Sequence, residues 1–356
     1  MANESIHVIG LGASTAVGRD AWSSAAAVRA GISGFTQHPY MIDTAGEPMR
    51  AAIAPWLDIE LSGVERFESL LYPAIDQALV RITELGTSAL RVALLLGLPS
   101  PRPGLPEDLH PLLNKALREK YRQVFSEVAA FPNGHAAGFL ALESAMKKLA
   151  HAEVEACVVA GVDSYIEPET LEWLEEKDQL HSAGSLNNAW GFIPGEGAGA
   201  LLLIRLDVAE RLQLAPLAQV LGVGTAFEPK RIKTQTICIG EGLTQAFRGA
   251  LAALPQDVKI SDIYCDMNGE PYRADEFGFT GLRTKEVFEA VSDFVAPADC
   301  WGDVAAAGAP LHLMLAAVAG AKAYAQGSIA FAFASAETGD RSAALLSVST
   351  RAWSCR

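Results

Sequence analysis

The chain has 356 residues, 50% hydrophobic, 20% charged and 8% aromatic, which excludes a disordered, collagen-like or small disulfide-stapled protein, because those carry too little apolar mass to offset the entropy of ordering. Its 28 basic residues against 42 acidic ones give a formal charge of -14, which argues against nucleic acid as a partner and against attraction to anionic membranes. The five cysteines, at 157, 238, 265, 300 and 355, show no CxxC spacing and are odd in number, as expected of reduced thiols in a cytoplasmic protein.

The opening MANESIHVIGLG places acidic Glu4, and no basic stretch, before its short apolar run, so no secretory leader is expected. Apolar runs bounded by Gly, Pro or charge then alternate with helical stretches, the α/β pattern. Strands are predicted at 6–10, 92–98, 154–160 and 198–206, and a second set at 216–223, 260–267, 328–334 and 343–349. The unbroken apolar character of VALLLGL, ACVVAG and ALLLI fits strands covered on both faces by helices. Between Gly97 and Gly134 the Pro-rich PSPRPGLPEDLHP leads into helical LLNKALREKYRQVF, an excursion that covers a site or an interface, or simply lies in solvent. The uncharged run VAAAGAPLHLMLAAVAGA, 304–321, approaches the length of a membrane span. Its Ala and Gly content, Pro310 and His312 read instead as a helix buried in a large core, and no membrane span is expected.

The two strand sets resemble each other. HVIGLGAST near residue 7 recurs as QVLGVGTAF near residue 219, and the helix-turn-strand text HAAGFLALESAMKKLAHAEVEACVVAGVDS recurs in form as AAAGAPLHLMLAAVAGAKAYAQGSIAFAFASAE. EGAGALLLIRL closes the first half as SAALLSVSTRA closes the second. Such a repeat predicts two similar α/β halves, 1–210 and 211–356, packed face to face to bury their Ala-rich helices.

The most specific stretch is GFIPGEGAGALLL, from Gly191 to Leu203, with GVDS upstream at Gly161 to Ser164. Together with the opening GLGASTAVG and the internal repeat, it resembles the β-ketoacyl synthase branch of the thiolase-fold family, over nearly the whole chain. The resemblance implies a five-layer αβαβα fold, normally a dimer, with the active site between the halves at helix N-termini, and no cofactor. Working members use a Cys at the start of the first buried helix and two His from the second half. The helix terminus lowers the thiol pKa and forms an oxyanion hole, while the imidazoles assist decarboxylation and stabilise the enolate.

In this chain the Cys position falls on His135, in FPNGHAAGFLALESA, with no Cys, Ser or Thr at that turn. The HGTGTxxxD segment falls on DMNGEPYRADEFG, so the first His becomes Asn268 and the two pantetheine-binding threonines become Glu270 and Tyr272. The GHxxxAAG segment falls, one residue shorter, on Gly302 to Gly308, making the second His Asp303. The gating phenylalanine of the family's FGFGG turn corresponds to Phe333. A carboxylate at Asp303 opposes decarboxylation of an anionic malonyl group, and Asn268 exchanges no proton near neutral pH.

The preferred expectation is therefore a non-condensing protein, a pseudoenzyme or scaffold, working as a homodimer or as a heterodimer with another synthase-like subunit, with acyl carrier protein a further candidate partner. The alternative is an active acyltransferase, thioester hydrolase or divergent 3-oxoacyl synthase using His135 or a displaced thiol, Cys265 or Cys300, near the site in sequence. A polar cap is the simpler reading of His135, and inert packing that of the cysteines. Asp266, Glu270, Asp275, Glu276 and Asp303 gather acid around the second-half site, yet lack the His and Cys spacing of a metal centre, and none is expected. Lys230, Arg231 and Lys233 form a basic cluster that suits an acidic carrier protein or a solvated loop.

Overall fold

A computed structural model describes residues 5–84, 90–182, 188–231 and 233–348. The first half contributes β1 (Ile6–Thr15), β2 (Thr36–Ile42), β3 (Pro48–Ala51), β4 (Val92–Gly97), β5 (Phe125–Phe131), β6 (Ala156–Ser164) and β7 (Glu196–Arg205). The second contributes β8 (Ala218–Phe227), β9 (Asp262–Cys265), β10 (Ile329–Ser335) and β11 (Asp340–Val348). The helices are α1 (Ala21–Arg29), α2 (Gly63–Thr83), α3 (Leu109–Lys120), α4 (Ala137–Ala150) and α5 (Pro168–Glu176). They continue with α6 (Leu206–Arg211), α7 (Glu241–Leu251), α8 (Pro271–Thr284), α9 (Ala298–Trp301) and α10 (Gly308–Ala321).

Strands other than the β2–β3 hairpin form one mixed sheet in the order β5-β4-β6-β7-β1-β8-β11-β10-β9. Its two halves join where β1 meets β8 over Ile6↔Val220, His7↔Gln219 and Val8↔Ala218. On either side of this seam the order repeats. β1, β7, β6 and β4 run outward in the first half, β8, β11, β10 and β9 in the second, and the buried helix α4 precedes β6 as α10 precedes β10.

The core divides into layers. One apolar cluster lies between α2 and α3 and the first half-sheet, a second surrounds α4 and α10 between the half-sheets, and a third lies beneath α7 and α8. The protein thus has the five-layer αβαβα architecture of the thiolase fold. Small residues make the central layer possible: a Cβ on Gly138 of α4 would lie 2.7 Å from Pro310 Cδ and 2.8 Å from Ala309 Cβ of α10. On β1, a Cβ on Gly12 would strike the Ala74 carbonyl of α2 at 1.8 Å, so the GLG text is a strand pressed against a helix.

Differences from the sequence expectation are local. The helix of the excursion ends at Lys120, and the residues after it form the edge strand β5, because FSEVAAF suits a pleated, half-buried surface. The 304–321 run is helical by α geometry only from Gly308, after a tighter turn at Ala305–Ala307, and α10 is buried from Gly308 to Gly320, all but the last of its 14 residues. Among the described residues no helix is long and apolar enough to cross a membrane.

Candidate functional site

His135 lies in the short turn Gly134–Ala136 that opens α4, where Gly134 takes a positive φ of 56° against Ser100. Asp303 lies two residues ahead of the corresponding turn, Ala305–Ala307, that opens α10. Its backbone is clamped to the GFIPGEG segment, Gly195 N donating to its carbonyl at 2.9 Å and its own N–H to Ile193 O at 2.8 Å. Asn268 follows β9 on the loop into α8. These three predicted positions come together. His135 Nε2 is 2.9 and 3.0 Å from the two Asp303 oxygens, and Asn268 Nδ2 donates to Asp303 Oδ2 at 2.6 Å.

The network extends to Glu270 and Tyr272. Asn268 Nδ2 donates to Glu270 Oε2 at 2.9 Å, and the Tyr272 hydroxyl to the same oxygen at 2.5 Å. Sequence reasoning missed the residue that ties the cluster together, Arg273. Its Nη1 donates to Asp266 Oδ2 at 2.5 Å and Ser335 O at 3.0 Å, its Nε lies 3.4 Å from Glu270, and its Nη2 is 3.1 Å from His135 Nε2. The signal available was a lone arginine amid the acids of DMNGEPYRADEFG, since buried carboxylates require a cationic partner.

Burial alone would push the Asp303 carboxyl up. The neighbouring His135 ring hydrogen-bonded to it, the Arg273 guanidinium and the Ala305 amide at 2.8 Å outweigh it and hold the carboxyl well below the usual carboxylate range. Glu270 is also lowered: burial is overcome by Arg273 and Lys233, with help from Tyr272 and Asn268. Two carboxylate oxygens facing one ring nitrogen favour a proton on Nε2, because lone pairs would otherwise oppose each other at 3 Å or less, and the Arg273 Nη2 contact to that nitrogen is then a contact between two donors and no hydrogen bond. His135 Nδ1 then has no partner among the described residues.

A cavity of about 280 Å³ opens over His135. Its lining includes Ser100 and Arg102 from the Pro-rich excursion, Tyr165, Trp173, Phe192 and Arg231. Arg102 Nη2 donates to Asp163 Oδ1 and Ser164 O, both at 2.6 Å, and its guanidinium lies 4.1 Å from the centre of the Tyr165 ring. Arg102 Nε is enclosed without a partner among the described residues.

Phe333 does not reach this site. β10 alternates, so Ala330, Ala332 and Ala334 face the central helices while Phe331 and Phe333 point to the outer layer. There Phe333 stacks on Phe277 at 4.9 Å and meets Phe247 at 5.0 Å. The strand fixes which face each side chain takes, so the expected gate is a core residue. Cys265 packs in the same outer layer, and burial pushes the thiols of Cys265 and Cys300 up. Neither lines the cavity, and Cys355 lies outside the described residues.

The acidic group divides. Asp266, Glu270 and Asp303 stay together around Arg273, while Glu276 pairs with Arg341 at 2.6 Å and Asp275 is exposed. Glu228, Cys238 and Glu276 offer atoms within 4.8 Å of one another. Arg341 already holds Glu276, the Gly242 and Lys230 amides hold Glu228, and burial pushes the Cys238 thiol up to about 11, so the set is not arranged for a cation. In the basic cluster, Lys233 turns inward to Glu270 at 3.0 Å and to Glu337. The glutamate of GEGAG is structural: Glu196 accepts from Arg66 Nε at 2.7 Å and Nη2 at 2.8 Å, Ala54 N at 2.8 Å and Ser164 Oγ at 2.9 Å.

Residues 134–209 match the beta-ketoacyl synthase N-terminal domain. Over 70 residues the chain is 41% identical to polyketide synthase PksL of Bacillus subtilis (strain 168), a match covering 18% of this chain and 2% of that much longer protein. A type II polyketide ketosynthase solved with its acyl-carrier protein superposes with a TM-score of 0.79 at 14% identity, covering 97% of this chain and 99% of that one. The ishigamide ketosynthase/chain length factor gives 0.74 at 16% identity, with coverage of 97% and 99%. The ketosynthase from module 6 of the bacillaene synthase of Bacillus subtilis 168 gives 0.72 at 15%, with 97% and 72%.

Proposed function

Because the chain is a β-ketoacyl synthase-like protein with the thiolase fold, we propose that it is a non-condensing member of that group, serving polyketide or fatty-acid assembly in the cytoplasm as a partner subunit. The observation that carries the reading is the mutual satisfaction of the three positions where condensing members place Cys, His and His. His135 and Asn268 both hydrogen-bond to Asp303, and among the described residues no cysteine lines the cavity that His135 borders. Condensation requires a thiolate to hold the acyl chain and imidazoles that assist loss of carbon dioxide. A buried carboxylate at Asp303 would repel the malonyl carboxylate, and the Asn268 amide is committed to Asp303 and Glu270.

A dimeric partner role is supported by β5, which ends the sheet with one side unpaired among the described residues and with Glu127 and Ala129 to Phe131 only partly covered. The occupant of that edge is a second copy or another synthase-like subunit, and an acyl carrier protein is a candidate visitor at the cavity mouth beside Arg231. The test supplies the purified protein with acyl and malonyl carrier-protein thioesters and follows products by mass spectrometry. No β-ketoacyl product above a heat-killed control is expected; its formation would overturn the proposal.

A further inference from the structure

The cavity over His135 has the parts of a hydrolytic site. Asp303, fixed by Asn268 and the Ala305 amide, faces His135 Nε2 with both oxygens, and in the neutral ring this puts the proton on Nε2 and leaves the Nδ1 lone pair outside the network. His135 lines the cavity, and its Nδ1 has no other partner among the described residues. Facing the same space are Arg102, whose hydrogen bonds all leave from Nη2, and Tyr165, whose hydroxyl bonds to no described residue. Burial, with Asp303 nearby, pushes the Tyr165 hydroxyl well above its usual range, so it stays a donor.

The lining is also nearly balanced in charge. Arg102 and Arg231 face Asp163 and Glu337, so a neutral ligand rich in acceptors suits it better than a free anion. Tyr165, Trp173, Leu174 and Phe192 supply apolar wall, and about 280 Å³ admits a short acyl chain. We propose that this cavity hydrolyses short-chain acyl thioesters, with His135 as general base. The inference rests on the non-condensing reading, in which water takes the place of a carbanion as the reactant toward the bound acyl group.

The step balances without a further reactant. His135 Nδ1 takes a proton from water as the water oxygen bonds to the thioester carbonyl carbon, and the resulting oxyanion is met by Tyr165 and Arg102. The carbon–sulfur bond then breaks, the sulfur leaves with the proton from Nδ1, and a carboxylic acid and a thiol are released. Asp303 acts through the imidazole and is a positioning residue.

The test uses the full chain with butyryl-N-acetylcysteamine, following free thiol colorimetrically and butyrate by mass spectrometry. Wild type is expected to release thiol and butyrate together, on the order of tenfold or more above buffer. His135→Gln should lose about 100-fold, the scale of a general base. Tyr165→Phe should lose about tenfold in kcat with little change in KM, as for an oxyanion donor, while Asp303→Asn should alter the pH profile as well as the rate. Cys265→Ala should be unchanged. No release by wild type, or full activity in a His135→Gln protein whose circular dichroism is native, overturns the inference. A β-ketoacyl product in the carrier-protein assay would instead overturn the non-condensing reading, so the two failures are distinct.

Discussion

Asp303 accepts hydrogen bonds from a ring nitrogen, a side-chain amide and a backbone amide while almost wholly buried. Such a carboxylate is stable only in its charged, fully bonded form. Its folded-state pKa is lowered from the ordinary 3.8, so its contribution to stability is present above that value and is lost as pH falls through the folded one. Asp303→Asn should therefore destabilise the protein at neutral pH, by about 3 kcal/mol as Arg273 loses its counter-charge and the His135 ring nitrogen its acceptor. The gap from wild type should narrow once pH falls below 3.8. Urea unfolding at a series of pH values checks this; a gap that stays constant into acid would contradict it.

Among the elements, α4 and α10 set the geometry of the site, because His135 stands in the turn that opens α4 and Asp303 just ahead of the turn that opens α10. Their close approach depends on Gly138 and Ala309, and a Cβ at Gly138 has no free space. Gly138→Val should lower stability by about 3 kcal/mol or prevent folding, since overpacking at rigid backbone has no outlet. Thermal melting checks this, and Gly278→Ala on α8, where an added Cβ meets nothing within 4 Å, serves as the reference. Both buried helices are legible in the sequence as Ala-rich runs feeding apolar strands. The edge strand β5 and the long helix α2 are not, since FSEVAAF continues a helical text and α2 carries Pro73 within it.

On the scale of the whole molecule, the half-sheets share one central layer, so each half uses the other's helix as its inner wall. We expect that 1–210 and 211–356, expressed separately, are insoluble or expanded, because each exposes the apolar inner face that the joined chain buries. Size-exclusion chromatography and hydrogen exchange check this, and a compact, protected 1–210 fragment would contradict it. The charge of -14 is arranged unevenly: inside the site the acids are matched by Arg273, Lys233 and Arg102.

The architecture was legible in the text alone, and the three positions singled out there, His135, Asn268 and Asp303, lie together in the fold. Buried strands, small-residue helices and an internal repeat are local patterns that leave few ways to hide their apolar faces. The direction of each side chain and the choice of partners were not. Phe333 looked like a gate and is a core ring; Lys233 looked solvated and turns inward; Arg273, whose one local signal is its place amid acids, organises the cluster. These depend on strand register and on contacts between residues far apart in the chain, such as His135 with Asp303 and Arg273. Pairing energy of that kind exists only after the two halves have packed.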